Sequence, residues 1–136
     1  LQYGIALGNN KSGFNSMYES FKKNEKVRLF RDQFRTPSSL LDTARMFNEL
    51  LKIDIKEETM NFGGKERVSR VELGEILCDE AGFDKSLIDN KSMEEVDGIY
   101  RVADVSMDTS KLQSYGIMQK GIRESIVEIL NSYPLK

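Results

Sequence analysis

Imidazole chemistry is closed to this chain. None of its 136 residues is histidine, which removes the commonest metal ligand and every nucleophilic triad built on a histidine base. Tyr18 and Lys22 stand four residues apart in Tyr18-Glu19-Ser20-Phe21-Lys22, but Tyr18 shares a helical face with Phe14 and Phe21, a packing position. Gly63-Gly64 could cradle a phosphate, yet no lysine-threonine pair follows it, so packing between strand and loop is the plainer reading. Cys78 is the single cysteine; it cannot close an internal disulfide, fits a reducing cytosol, and beside Leu77 on a helix reads as an inert core thiol. Lys22, Lys23, Lys26, Arg28, Arg31 and Arg35 form a basic stretch tempered by Glu25 and Asp32. A nucleic-acid surface would set stacking aromatics among such charges, whereas Phe21 and Phe30 read as core and the net charge is −2. No nucleic acid, metal or catalytic set within the chain is expected.

The elements that would position any site form an α/β mixture. Residues 1–8 read as an apolar strand, and Asn9 to Gly13 as a turn. A helix follows with Phe14, Met17, Tyr18 and Phe21 on one face, then a half-buried strand over Lys26 to Phe30. Thr36-Pro37-Ser38 opens the next helix, over 38–53, whose apolar face is Leu40, Ala44, Phe47 and Leu51. Thr59 to Phe62 reads as a strand ending in Gly63-Gly64. Ser69-Arg70-Val71-Glu72 spells a capping box, and Gly82 stops the helix it begins. Val102 to Met107 reads as a strand, Asp108 as the cap of a short turn through Leu112, and Ile122, Ile126, Ile129 and Leu130 as the face of a last helix. No apolar run approaches the roughly 18 residues a membrane span needs. Strands 1–7 and 59–62 lack clean alternation, which suits a parallel sheet covered on both faces; two strands make no stable sheet alone, so partners outside the chain are expected.

Leu29-Phe30-Arg31-Asp32-Gln33-Phe34-Arg35-Thr36-Pro37, leading to Leu41-Asp42-Thr43-Ala44, resembles a signature of the extended short-chain dehydrogenase/reductases, the NAD-dependent epimerase/dehydratase family. The nearest branch is that of the dTDP-4-dehydrorhamnose reductases. Met60-Asn61-Phe62-Gly63-Gly64 with Glu66-Arg67-Val68-Ser69, then Asp104 to Leu112, then Gly116-Ile117 before a helix with Ile122-Arg123-Glu124 follow in the family's order. The resemblance covers nearly the whole chain.

It implies a C-terminal fragment of a Rossmann-type protein: edge strands 1–8 and 59–63 of the parallel sheet, plus a small, mostly helical substrate-binding subdomain. The cofactor-binding N-terminal half would precede residue 1. Gly4, Gly8 and Gly13 do not make its Gly-x-Gly-x-x-Gly turn. In the family a Tyr-x-x-x-Lys pair transfers the proton ahead of the strand that residues 1–8 resemble; Tyr18 and Lys22 come after it. By the same resemblance Arg35, seven residues before Asp42, and Arg101, ahead of Asp104-Val105, hold the diphosphate of a nucleotide-sugar substrate, a task for which the guanidinium fork is suited. NAD or NADP would bind the full-length protein and not this fragment, which would show no reductase activity alone. A cytoplasmic protein that self-associates through its cut sheet is expected. Gln2, Ile5, Gly13 and Val102 depart from the family pattern and leave the sugar open. A non-catalytic binding subunit on the same fold, like the regulatory subunit of methionine adenosyltransferase, is the alternative.

Overall fold

The computed structural model describes residues 4–8 and 12–133. Strand β1 (Gly4–Ile5) leads to helix α1 (Gly13–Lys22), capped by the Ser12 hydroxyl, which accepts the Asn15 N–H. The buried face of α1 is the one its spacing predicts: Phe14, Met17, Tyr18 and Phe21. Strands β2 (Val27–Phe30), β3 (Phe34–Arg35) and β4 (Ser38–Ser39) run into helix α2 (Leu40–Leu50). Strand β5 (Val68–Ser69) then opens helix α3 (Arg70–Ala81), with the Ser69–Glu72 capping box formed and Gly82 ending it at φ 72°. Strand β6 (Ile88–Lys91), a short helix α4 (Ser110–Ser114) and α5 (Ile122–Ser132) complete the order.

β2 lies parallel to β6, from Val27 against Ile88 to Phe30 against Lys91. Helix α3 seats on β2 through Gly74, where a Cβ would come within 2.3 Å of Leu29 Cδ1. The main core gathers Phe14, Phe21, Leu29, Leu77 and Ile126, and a smaller one holds Met46, Phe62, Leu112 and Ile117.

Several readings of the sequence are corrected. Thr59 to Phe62 forms no strand, so the 59–63 segment is not paired with β1. The parallel partner of β1 is β4, Gly4 against Ser38 and Ile5 against Ser39. Two serines carry no strand propensity, which hid β4, while Phe62 is drawn instead into the smaller core. Helix α2 is capped by Ser39, whose hydroxyl accepts the Asp42 N–H, and not by Thr36. Its Leu40–Ala44–Phe47–Leu51 face is exposed, and it buries Asp42, Thr43 and Met46. Residues 102–107 make only a single parallel bridge, Asp104 to Phe34. At α4 the cap position belongs to Thr109, while Asp108 accepts the Ser110 N–H at 2.9 Å. Strand β6 escaped notice because Ile88-Asp89-Asn90-Lys91 shows no apolar alternation. The expected turn residues Asn9 to Lys11 and the start of the first strand lie outside the described residues.

Candidate diphosphate site

β3 lies between strand β5 and the 103–105 segment. β5 pairs antiparallel on one side, Phe34 against Ser69 and Arg35 against Val68. On the other side Phe34 donates its N–H to Ala103 O at 2.7 Å and accepts from Val105 N at 3.4 Å. Two residues on, the Thr36 hydroxyl accepts the Met107 N–H at 3.3 Å. The segments singled out by sequence around Arg35 and Arg101 therefore run side by side.

Arg35 is half-buried, and its Nη1 donates to Phe34 O at 2.6 Å and Val102 O at 3.3 Å. That second contact ties its guanidinium to the residue next to Arg101, which is exposed. Side chains alternate along extended backbone, so Phe34 and Asp104 share one face and Arg35 lies on the other. On the Phe34 face Arg67 stacks its guanidinium 3.6 Å from the ring centroid. Its Nε and Nη2 both reach Asp104 Oδ2, at 2.9 and 2.8 Å. The Ser106 N–H, the Ser106 hydroxyl and then Arg67 hold the Asp104 carboxyl down at about 2. Arg67 took no part in the sequence reading beyond its place in the Glu66–Ser69 run. Its role emerges only where three non-adjacent segments meet.

The site is braced from behind. Gly64 donates its N–H to Thr36 O at 3.0 Å, and a Cβ there would sit 1.8 Å from Pro37 O. The double glycine thus serves the close packing its sequence suggested. Gln119, buried, donates Nε2 to Gly63 O at 3.3 Å and to Thr109 Oγ1 at 2.7 Å. Asp42, 2% exposed, fixes the 118–120 turn to α2. Its Oδ2 accepts the Lys120 N–H at 3.0 Å, and its Oδ1 accepts from Arg45 Nη2 at 2.6 Å. Arg45 in turn reaches Met118 O at 2.5 Å.

The other candidates lie elsewhere. Tyr18 is buried against Phe83 and Tyr133 with edge-to-face rings, centroids 5.5 and 6.4 Å away. Cys78 is buried, and loss of solvation pushes its thiol pKa up. In the basic stretch Arg28 pairs with Asp89 at 3.6 Å and Arg31 with Glu95 at 2.6 Å. Among the described residues no group of three or more Cys, Asp or Glu could hold a metal ion, and no helix is long and apolar enough to cross a membrane.

Two parallel strand pairs with helices packed on them, and a small antiparallel pair beside them, define an α/β protein. Residues 3–134 match the family model described as the RmlD substrate binding domain, and the chain belongs to that family. No curated protein matches it. Its fold is similar to that of dTDP-4-dehydrorhamnose reductase from Bacillus anthracis in complex with NADP: TM-score 0.79 at 18% identity, over 96% of this chain and 46% of that one. The Clostridium acetobutylicum dTDP-4-dehydrorhamnose reductase ortholog gives 0.75 at 19% identity, over 94% and 46%. The Bacillus anthracis dTDP-glucose 4,6-dehydratase in complex with NAD gives 0.74 at 14% identity, over 94% and 41%. The chain therefore spans less than half the length of these structures.

Proposed function

We propose that this chain is the substrate-binding portion of an NAD(P)-dependent sugar-nucleotide reductase, epimerase or dehydratase, most like dTDP-4-dehydrorhamnose reductase, in which Arg35 and Arg101 clamp the substrate diphosphate. The observation that carries it is the Arg35 contact to Val102 O, which ties one arginine to the segment of the other. NAD or NADP would bind a separate N-terminal half that also carries the catalytic residues, so the chain alone turns over no substrate. A cytosolic location accords with a lone buried thiol.

The test is nucleotide binding to the protein joined to its cofactor half. Each charge-assisted hydrogen bond contributes about 1.5–3 kcal/mol, so Arg35→Ala or Arg101→Ala should weaken dTDP- or UDP-sugar affinity at least about tenfold. Lysine should restore it only in part, because an ammonium lacks the planar fork. Calorimetry showing unchanged affinity in both alanine variants removes the clamp.

A further inference from the structure

The chain between β6 and the 103–105 segment is tied down at both ends and exposed between them. Before the exposed part, Asp32 accepts the Ser92 hydroxyl at 2.6 Å and the Met93 N–H at 3.0 Å, and the Val96 N–H reaches Met93 O at 3.4 Å. After it, Val102 O accepts from Arg35 and Ala103 O from the Phe34 N–H. Asp97 and Gly98 form a turn in between, and both are exposed. Among the described residues, the Gly98 N–H has no hydrogen-bond partner, and the Asp97 carboxylate makes neither a hydrogen bond nor an ion pair. Gly98 takes φ +74°, and its would-be Cβ meets nothing within 4 Å. This is also the one place in the sequence where an aspartate or asparagine precedes a glycine.

We propose that Asp97 is a site of spontaneous isoaspartate formation, and that the rearranged loop carries Arg101 out of the diphosphate site. The Gly98 amide nitrogen, its proton taken up by solvent, attacks Asp97 Cγ. A C–N bond forms and closes a five-membered succinimide, a Cγ–O bond breaks, and the oxygen departs as water. Water then adds at the α-carbonyl and breaks its bond to the Gly98 nitrogen, so the main chain runs on through Cβ and Cγ. No oxidant or cofactor takes part, the mass returns to its starting value, and a free α-carboxylate replaces the side-chain one. An N–H without a partner gives up no bond before the nitrogen attacks, and the missing Cβ leaves its approach unshielded. Asp104 shows the opposite arrangement: it is followed by the β-branched Val105, whose N–H is engaged by Phe34 O. The product lengthens the path from Met93 to Ala103 by one carbon–carbon bond, about 1.5 Å. Both ends of that path are anchored, so the added length falls on the residues between them, Arg101 included. The consequence for Arg101 rests on the diphosphate reading; the modification itself does not.

The experiment ages the protein joined to its cofactor half in neutral buffer and follows the 92–101 tryptic peptide by mass spectrometry. A second chromatographic form of the same mass should accumulate and accept a methyl group from a protein-isoaspartate methyltransferase. Asp97→Glu should form none, because closure would then need a six-membered ring. Asp97→Asn should convert faster, since the side-chain amide expels ammonia more readily than the carboxyl group expels water. The modified fraction should bind a dTDP- or UDP-sugar about tenfold more weakly, as for the loss of one arginine contact, while aged Asp97→Glu binds as fresh protein does. A native protein that stays unmodified while the free 92–101 peptide converts overturns the site. Isoaspartate with undiminished affinity, in a protein whose affinity falls on Arg101→Ala, overturns the displacement. If Arg101→Ala itself leaves affinity unchanged, the diphosphate reading fails and takes the displacement with it, while the modification stands or falls by the peptide.

Discussion

Replacing Gly64 by alanine tests how the site is held up. The added methyl would lie 1.8 Å from Pro37 O and 2.7 Å from Pro37 C, both backbone atoms that cannot swing aside as a side chain would. To reach ordinary contact the 63–64 loop must withdraw from the 36–37 segment by about 1 Å or more. That motion breaks the Gly64 N–H bond to Thr36 O, now 3.0 Å long. Overpacking costs about 1–3 kcal/mol and the hydrogen bond about 1 kcal/mol, so the loss is about 2–4 kcal/mol. For a domain of this size that lowers the melting temperature by roughly 6–20 °C. Gly98→Ala is the matched control, because Gly98 has φ +74° but nothing within 4 Å of its would-be Cβ. It carries backbone strain alone, about 1–2 kcal/mol. Calorimetric melting of the two variants separates close approach from strain. A Gly64→Ala loss no larger than that of Gly98→Ala would refute the brace. Because Arg35 lies one residue before Thr36, the joined protein with Gly64→Ala should also bind nucleotide more weakly.

Asp42→Ala should cost about 2 kcal/mol, less than a fully buried pair would, because Arg45 is 35% exposed on its side chain; Asp42→Asn should recover part, and urea titration measures both. Asp104 should titrate near 2 by carboxyl NMR. Its folded pKa is depressed, so what it contributes is present above the ordinary carboxylate value and is lost as pH falls toward 2. Asp104→Asn removes that acid limb, and titration at the ordinary 3.8 would contradict the Ser106 and Arg67 contacts. Cys78, buried and with its pKa raised, should react with a disulfide reagent only as fast as the native state opens, and immediate modification would count against its burial.

Local rules carried the helices. The hydroxyl–glutamate box at Ser69–Glu72, the glycine stop at Gly82 and the buried face of α1 depend on residues within a few positions of each other, so the chain alone determines them. The ordered family segments likewise identified the fold and the pairing of the Arg35 and Arg101 stretches as something to look for. Strands were another matter. β4 is two serines and β6 is Ile-Asp-Asn-Lys; each is a strand only because a distant segment, β1 or β2, offers it hydrogen-bond partners. Thr59 to Phe62 has the better strand composition and forms none, because Phe62 packs into the smaller core beside Met46. The spacing of Leu40, Ala44, Phe47 and Leu51 revealed an apolar face without saying what it faces. Periodicity is a property of one helix, whereas burial belongs to a pair of surfaces, and among the described residues Leu40, Leu41, Phe47 and Leu51 stay exposed. The Arg67–Phe34–Asp104 row is the same lesson at the site: three residues from three segments, meeting on one face of a small sheet whose register only the folded chain sets.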